Sequence, residues 1–138
     1  MLIKKITYTD YNGIERTEDF YFNLSKSELI ELQASVDGGL DGYLKKIASR
    51  LDAPRIMSFF RDLILRAYGE KSDDGRRFIK SPELSEAFRQ TEAYDNLFVE
   101  LVTDATKGAE FIEGIMPDHF FDNISDEDKK KLSLVPSE

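Results

Sequence analysis

The feature that most restricts the fold is a turn signal, Tyr11-Asn12-Gly13, which separates LIKKITYT from IERTEDFYF near the start of the chain. Asn-Gly tolerates the positive φ values of a type I′ turn, and β-branched and aromatic residues are frequent on both sides. The pattern predicts an antiparallel hairpin within residues 1–22, with Leu2, Ile6 and Tyr8 on the packed face. Because a lone hairpin is only marginally stable in water, this face has to lie on helices or on another chain.

Residues 25–117 carry the periodicity of amphipathic helices. Several helix starts are marked by side chains that cap free backbone N–H groups, or by proline in a first turn. These starts are Ser25 with Glu28 as a capping box, Asp52 before Pro54, Ser81 before Pro82, and Thr91. The predicted fold class is therefore α+β but mostly α, with the hairpin followed by five or six amphipathic helices and a polar C-terminal tail.

The most apolar helical segment is RIMSFFRDLILRAYG, at residues 55–69. Its apolar residues cover about half of the helical circumference, against the roughly 100° stripe of a surface helix. We therefore expect it to be the central helix. Another helix is predicted from Leu40 to Leu51, and glycines are expected to end or interrupt the helices, namely Gly38-Gly39, Gly69 and Gly108.

The strongly apolar pattern ends at Pro117, which predicts one compact domain at residues 1–117, made of the hairpin (1–22) and the helical part (25–117). Residues 118–138 contain six acidic residues and three lysines, with few apolar side chains. That composition is typical of a loosely held segment, so we expect an acidic, flexible tail.

Composition argues against most catalytic and metal-binding chemistry. The 138 residues include no cysteine and one histidine, His119, which leaves no thiolate and no histidine pair for zinc. The net charge of −8 opposes binding to a phosphate backbone. No apolar run approaches the roughly 20 residues needed to cross a bilayer. We therefore predict a cytosolic protein without metal, cofactor, nucleic-acid partner or membrane contact.

The segment GEKSDDGRRFIKS, at residues 69–81, could be either a calcium-binding loop or a connector. Aligning Gly75 with the invariant glycine of a calcium loop places Ser81 where a bidentate glutamate is required, so the last ligand is absent. Asp74-Gly75 suits a simple turn, after which Phe78 and Ile79 return to the core. Paired carboxylates such as Asp73 and Asp74 are adjacent charges, not acids that face each other across a pocket. We interpret the segment as a connector and predict no catalytic residues.

A second apolar stripe follows Thr91 and has two interpretations. Such a stripe belongs to the core in most helices, but it can also be the contact for a partner. The candidate partner-binding residues are Tyr94, Leu97, Phe98 and Leu101.

Three segments, ITYTDYNGIERTEDFYFNLSKSEL, DLILRAYGEKSDDGRRFIKSPELSEAFRQTEAYDNLFVELVTDA and AEFIEGIMP, resemble the tail assembly chaperones of long-tailed, siphovirus-like bacteriophages. The most specific part is AYGEKSDDGRRFIKS followed by TEAYDNLFVEL. The resemblance implies a non-enzymatic protein of the bacterial host cytoplasm that binds the tape measure protein, keeps its apolar helices soluble and helps recruit major tail tube subunits. It also favours self-association, since shielding a long partner needs several copies.

Two alternatives to a chaperone remain open at this point. The acidic charge would also suit an inhibitor of another protein or a mimic of nucleic acid, whose binding to a basic partner would depend strongly on salt. A small carboxylate-based hydrolase ranks third, because it would need acids that converge in a pocket and no spacing in the sequence predicts one.

Overall fold

The computed structural model describes residues 1–35, 39, 42, 43, 46 and 53–117. Its elements, in chain order, are β1 (Leu2–Thr9), β2 (Glu15–Phe22), α1 (Lys26–Ala34), α2 (Ala53–Ala67), β3 (Tyr68–Lys71), β4 (Phe78–Ile79), α3 (Pro82–Arg89), α4 (Glu92–Thr103) and α5 (Ala105–Ile115). The predicted α+β class, with an N-terminal hairpin followed by helices, is confirmed. Most of the helix expected at Leu40 to Leu51, His119 and the tail at 118–138 lie outside the described residues.

The predicted hairpin is present, but its turn has three residues instead of the two of the expected type I′ turn. β1 and β2 pair in an antiparallel register that runs from Leu2 opposite Phe22 to Thr9 opposite Glu15. The turn has three residues, because Asp10 N–H donates to Ile14 O at 2.9 Å and Gly13, with φ of 81°, donates to Asp10 O at 2.9 Å. The Asp10 carboxylate also accepts hydrogen bonds from two turn N–H groups, which favours this longer turn over a two-residue type I′ turn.

A second, short ribbon extends the hairpin to a four-stranded sheet in the order β1-β2-β3-β4. β3 follows α2 directly and pairs with β2 only at Tyr21 and Phe22. Gly69, which we expected to end the helix, instead lies in β3 opposite Tyr21. A Cβ at this position would lie 2.6 Å from Phe78 Cε2 and 2.7 Å from Ile79 O, so the close approach of β4 requires a glycine.

Gly108 was also expected to interrupt a helix, and that prediction is wrong. The chain changes direction at Asp104, whose carboxylate accepts from Lys107 N–H at 3.1 Å and so caps α5. Gly108 lies inside α5, where a Cβ would be 2.9 Å from Leu101 O and 3.2 Å from Phe60 Cζ. The glycine therefore allows α5 to pack closely on α4 and α2.

One apolar core connects the sheet with the helices, and α2 is its central helix as predicted. The buried residues of α2 are Ile56, Phe59, Phe60, Leu63, Ile64 and Ala67, whereas Met57 is partly exposed. The end of β2 contributes Phe22, whose ring centroid lies 5.8 Å from Phe88 and 5.3 Å from Phe111. Phe22 thus joins the hairpin to α3 and α5, which supplies the packing that an isolated hairpin lacks.

The predicted helix starts that fall within the described residues are confirmed. Ser25 Oγ accepts from Glu28 N–H while Glu28 accepts from Ser25 N–H, which completes the capping box of α1. Ser81 caps α3 with Pro82 in its first turn, and Thr91 caps α4. In the described ranges, no helix has the length and apolar character of a membrane span.

Candidate partner-binding surfaces

The apolar stripe singled out on α4 faces the interior of this chain. Tyr94, Leu97 and Leu101 are 7%, 1% and 0% exposed, and they pack among the core residues. Phe98 is half-buried, and its ring lies 5.9 Å from that of Tyr94. Of the four candidates, Phe98 is the one that is not fully buried. A role of this stripe in partner binding stays a prediction, and the neighbouring Val99, at 55% exposed, is the more accessible apolar residue of α4.

Helix α4 runs along the outer edge of β1. Asn96 Nδ2 donates to Thr7 O at 3.2 Å, and Lys4 Nζ lies 3.0 Å from Glu100 Oε1. Asp10 and Ile14 form a hydrogen-bonded pair beside the turn. Because bonded and non-bonded pairs alternate along an antiparallel ladder, Thr7 belongs to a non-bonded pair, and its carbonyl points away from β2. α4 therefore covers an edge that would otherwise be open to strand pairing. The sequence contained no local signal for this contact, because 89 positions separate Thr7 from Asn96.

Asp10, Arg16 and Glu18 form ion pairs near the free end of the hairpin. Arg16 Nε donates to Asp10 Oδ2 at 2.6 Å, and this guanidinium, followed by the Ile14 N–H, holds the pKa of Asp10 below its usual value. The Tyr8 hydroxyl donates to Glu18, and that bond raises the pKa of Tyr8. These exposed pairs orient the side chains, although exposed ion pairs contribute little to stability.

The segment between β3 and β4 is a turn, as its Asp74-Gly75 pair predicted. Gly75 has a φ of 75°, and Ser72 N–H donates to Arg77 O at 2.9 Å across the turn. The Asp74 carboxylate accepts from Arg76 N–H at 3.0 Å and from Ser72 Oγ at 2.7 Å, and these bonds lower its pKa. The Asp74 carboxylate therefore makes its hydrogen bonds within the turn. Within the described part of the chain, no three His, Asp or Glu side chains come together in a metal-binding arrangement.

A groove with a volume of about 230 Å³ lies beside α1 and α2. It is lined by the apolar residues Leu32, Tyr43, Phe59 and Leu63 and by the polar residues Ser35, Ser58, Asp62 and Arg66. Small-molecule pockets commonly measure roughly 300–1,000 Å³. This groove is smaller than that range. The helical spacing of Phe59 and Leu63 was visible in the sequence, but their position on a groove was not.

Helix α1 forms one wall of this groove through Leu32. Leu29 is its buried residue, while Ile30 is 68% exposed. Lys80 Nζ lies 2.7 Å from both Glu28 Oε2 and Asn23 O and so connects the start of α1 with the residue that follows β4. Burial disfavours the ionised form of Glu28, but the bonds from Lys80 and from the Ser25 N–H outweigh it, so the pKa of Glu28 is lowered.

The chain is a small protein of the α+β class whose described surface carries a groove and exposed apolar side chains. A family model described as phage tail assembly chaperone matches residues 1–138, the whole chain. The chain therefore belongs to the phage tail assembly chaperone family, and the resemblance noted in its sequence is confirmed. No curated protein and no solved structure matches it.

Proposed function

We propose that this chain binds the tape measure protein during tail assembly, keeps its apolar helices soluble and helps recruit major tail tube subunits in the cytoplasm of the bacterial host. We further propose that it acts without catalysis and in several self-associated copies. The observation that carries the proposal is the match of the whole chain to the tail assembly chaperone family.

The charge and surface of the chain suit this role. A long helical protein with exposed apolar stripes tends to aggregate, because large apolar patches associate in water. A chaperone that covers such stripes and carries a net charge of −8 would keep the complex dispersed through repulsion between complexes.

The groove beside α1 and α2 is our candidate contact for an apolar helix of the tape measure protein. Its floor includes Phe59 and Leu63, and its rim carries the opposite charges of Asp62 and Arg66. Helix-in-groove recognition uses apolar anchors spaced three or four residues apart, and a groove of this size can hold such an anchor. Phe98, the accessible member of the α4 stripe, is the alternative contact.

Coexpression tests the proposal. The tape measure protein is produced with and without this chain, and its soluble fraction and the number of copurified copies per tape measure chain are measured. We expect a clear gain in solubility and more than one copy per partner. Because the contact is mainly apolar, copurification should persist at raised salt. If a folded wild-type chain neither solubilises nor copurifies with the tape measure protein, the proposal fails and the acidic-inhibitor alternative becomes the leading hypothesis.

Variants on one helix locate the contact. Leu32→Asp places a charge in the groove, whereas Ile30→Asp places the same charge on the exposed side of α1 and is the matched control. We expect Leu32→Asp to reduce the gain in solubility and Ile30→Asp to preserve it. The reverse result would assign the contact to the exposed side of α1, and a loss with Phe98→Ser alone would assign it to α4.

A further inference from the structure

Among the described residues, the second edge of the hairpin, on β2, has a strand partner over only part of its length. On the side away from β1, β2 pairs with β3 at Tyr21 and Phe22, and within the described ranges no strand lies on that side from Glu15 to Asp19. All five side chains of this segment are exposed. The opposite edge, on β1, is covered by α4. The hairpin therefore has one protected edge and one accessible edge, which extends for roughly 17 Å at about 3.4 Å per residue.

The register determines which backbone groups this edge presents. The hydrogen bond from Asp10 N–H to Ile14 O places even-numbered residues of β2 in bonded pairs with β1. Odd-numbered residues consequently direct their N–H and C=O groups to the other side. Asn23 confirms this, because its N–H donates to Ala67 O on the β3 side at 2.8 Å. Glu15, Thr17 and Asp19 thus present three N–H and three C=O groups outward.

The side chains along the edge select among possible occupants. Glu15 and Asp19 flank Thr17 on one face of the ribbon, and Asp19 Oδ1 also lies 3.7 Å from Lys5 Nζ of β1. A strand with basic residues opposite Glu15 and Asp19 would place a cation beside each carboxylate. A second copy of this chain fits this edge poorly. Two-fold antiparallel pairing centred on Thr17 would place Glu15 opposite Asp19 of the other copy, and these two carboxylates would repel each other. The pairing of Arg16 with Glu18 that such a dimer would form is already made within one chain. These charges disfavour self-pairing while leaving the edge available to a basic strand.

We infer that the edge of β2 from Glu15 to Asp19 binds an extended, basic segment of a partner protein by strand addition. Backbone hydrogen bonds to Glu15, Thr17 and Asp19 supply the attachment, and carboxylates at both ends supply the selectivity. This site differs from the apolar groove in place and in chemistry. Its failure would leave the proposed binding of the tape measure protein intact.

A synthetic peptide tests the inference on the full-length chain. The probe Thr-Lys-Lys-Thr-Glu-Lys-Val, blocked at both ends, places Lys opposite Asp19, Glu18 and Glu15 and places Glu opposite Arg16 in an antiparallel register. Amide hydrogen exchange is measured residue by residue. When about nine tenths of the chains hold peptide, the N–H groups of Glu15, Thr17 and Asp19 should exchange about tenfold more slowly. Those of the two even-numbered residues between them should change by less than about twofold, because they already bond to β1.

Two controls make the result specific. The charge-reversed peptide Thr-Glu-Glu-Thr-Lys-Glu-Val should give no protection. Thr17→Pro removes an outward N–H that makes no hydrogen bond to β1. The variant should therefore fold, because β2 is an edge strand here, but it should no longer bind the peptide. Thr17→Val loses the same side-chain bond to Thr7 Oγ1 but keeps the N–H, and it should retain the peptide.

Three results would overturn the inference. One is an absence of protection at millimolar peptide. Another is uniform protection without alternation, which would indicate attraction between side chains alone. The third is equal binding by folded Thr17→Pro and Thr17→Val.

Discussion

Replacing Leu101 by alanine tests whether the α4 stripe belongs to the core of this chain. Leu101 is 0% exposed and packs with the buried residues of the neighbouring helices. The change removes three carbon atoms, which at about 0.8 kcal/mol each is roughly 2.4 kcal/mol of lost transfer free energy. The cavity left behind adds to this, because buried Leu→Ala changes cost roughly 2.7–5.0 kcal/mol. We expect the free energy of unfolding to fall by about 3–4 kcal/mol.

Denaturation by urea, followed by far-ultraviolet circular dichroism, measures this loss. The dependence of unfolding free energy on urea should stay constant, and the melting temperature should fall by roughly 10 °C for a chain of this size. Val99→Ala is the matched control on the same helix, since Val99 is 55% exposed, and its effect should stay within about 0.5 kcal/mol. A loss below about 1 kcal/mol for Leu101→Ala would refute the burial of α4 and return Leu101 to the candidate partner surface.

Two further predictions concern packing and charge at β3 and β4. Gly69→Ala should destabilise the fold by about 1–3 kcal/mol in thermal or urea unfolding, because the added Cβ meets the backbone oxygen of Ile79. Gly114→Ala should cost less, since its Cβ would meet side-chain atoms of Leu2 and no backbone oxygen; equal effects would contradict the packing of β4. Lys80→Met should cost about 1–3 kcal/mol near neutral pH by leaving Glu28 without its cation. The pKa of Glu28 is lowered on folding, so the stability from its ionised form is present above the ordinary carboxyl pKa and is lost as pH falls through the folded value. Urea titrations from pH 7 to about pH 3.5 measure the free energy of unfolding of wild type and of Lys80→Met. The difference between the two free energies should become smaller below roughly pH 4. A difference that stays constant would contradict the role assigned to the Glu28 carboxylate.

The local signals in the sequence were correct where short-range hydrogen bonds determine the structure. The capping box at Ser25, the caps at Ser81 and Thr91, and the turn at Gly75 each depend on groups within a few residues of one another. The apolar periodicity of α2 also depends on sequence spacing alone. These features, together with the resemblance to tail assembly chaperones, could therefore be recognised before any tertiary contact was known.

Tertiary contacts decided the features that local patterns leave open. β3 and β4 have four and two residues, which is too short for a visible alternation, and β3 is defined by pairing with a strand more than 40 positions earlier. Gly69 and Gly108 resemble helix stops in the sequence, but each is required because another backbone or ring approaches closely. The burial of α4 and the difference between the two hairpin edges likewise arise from packing between distant segments. Sequence periodicity shows that a face is apolar, whereas only the fold determines whether that face meets the same chain or remains available to a partner.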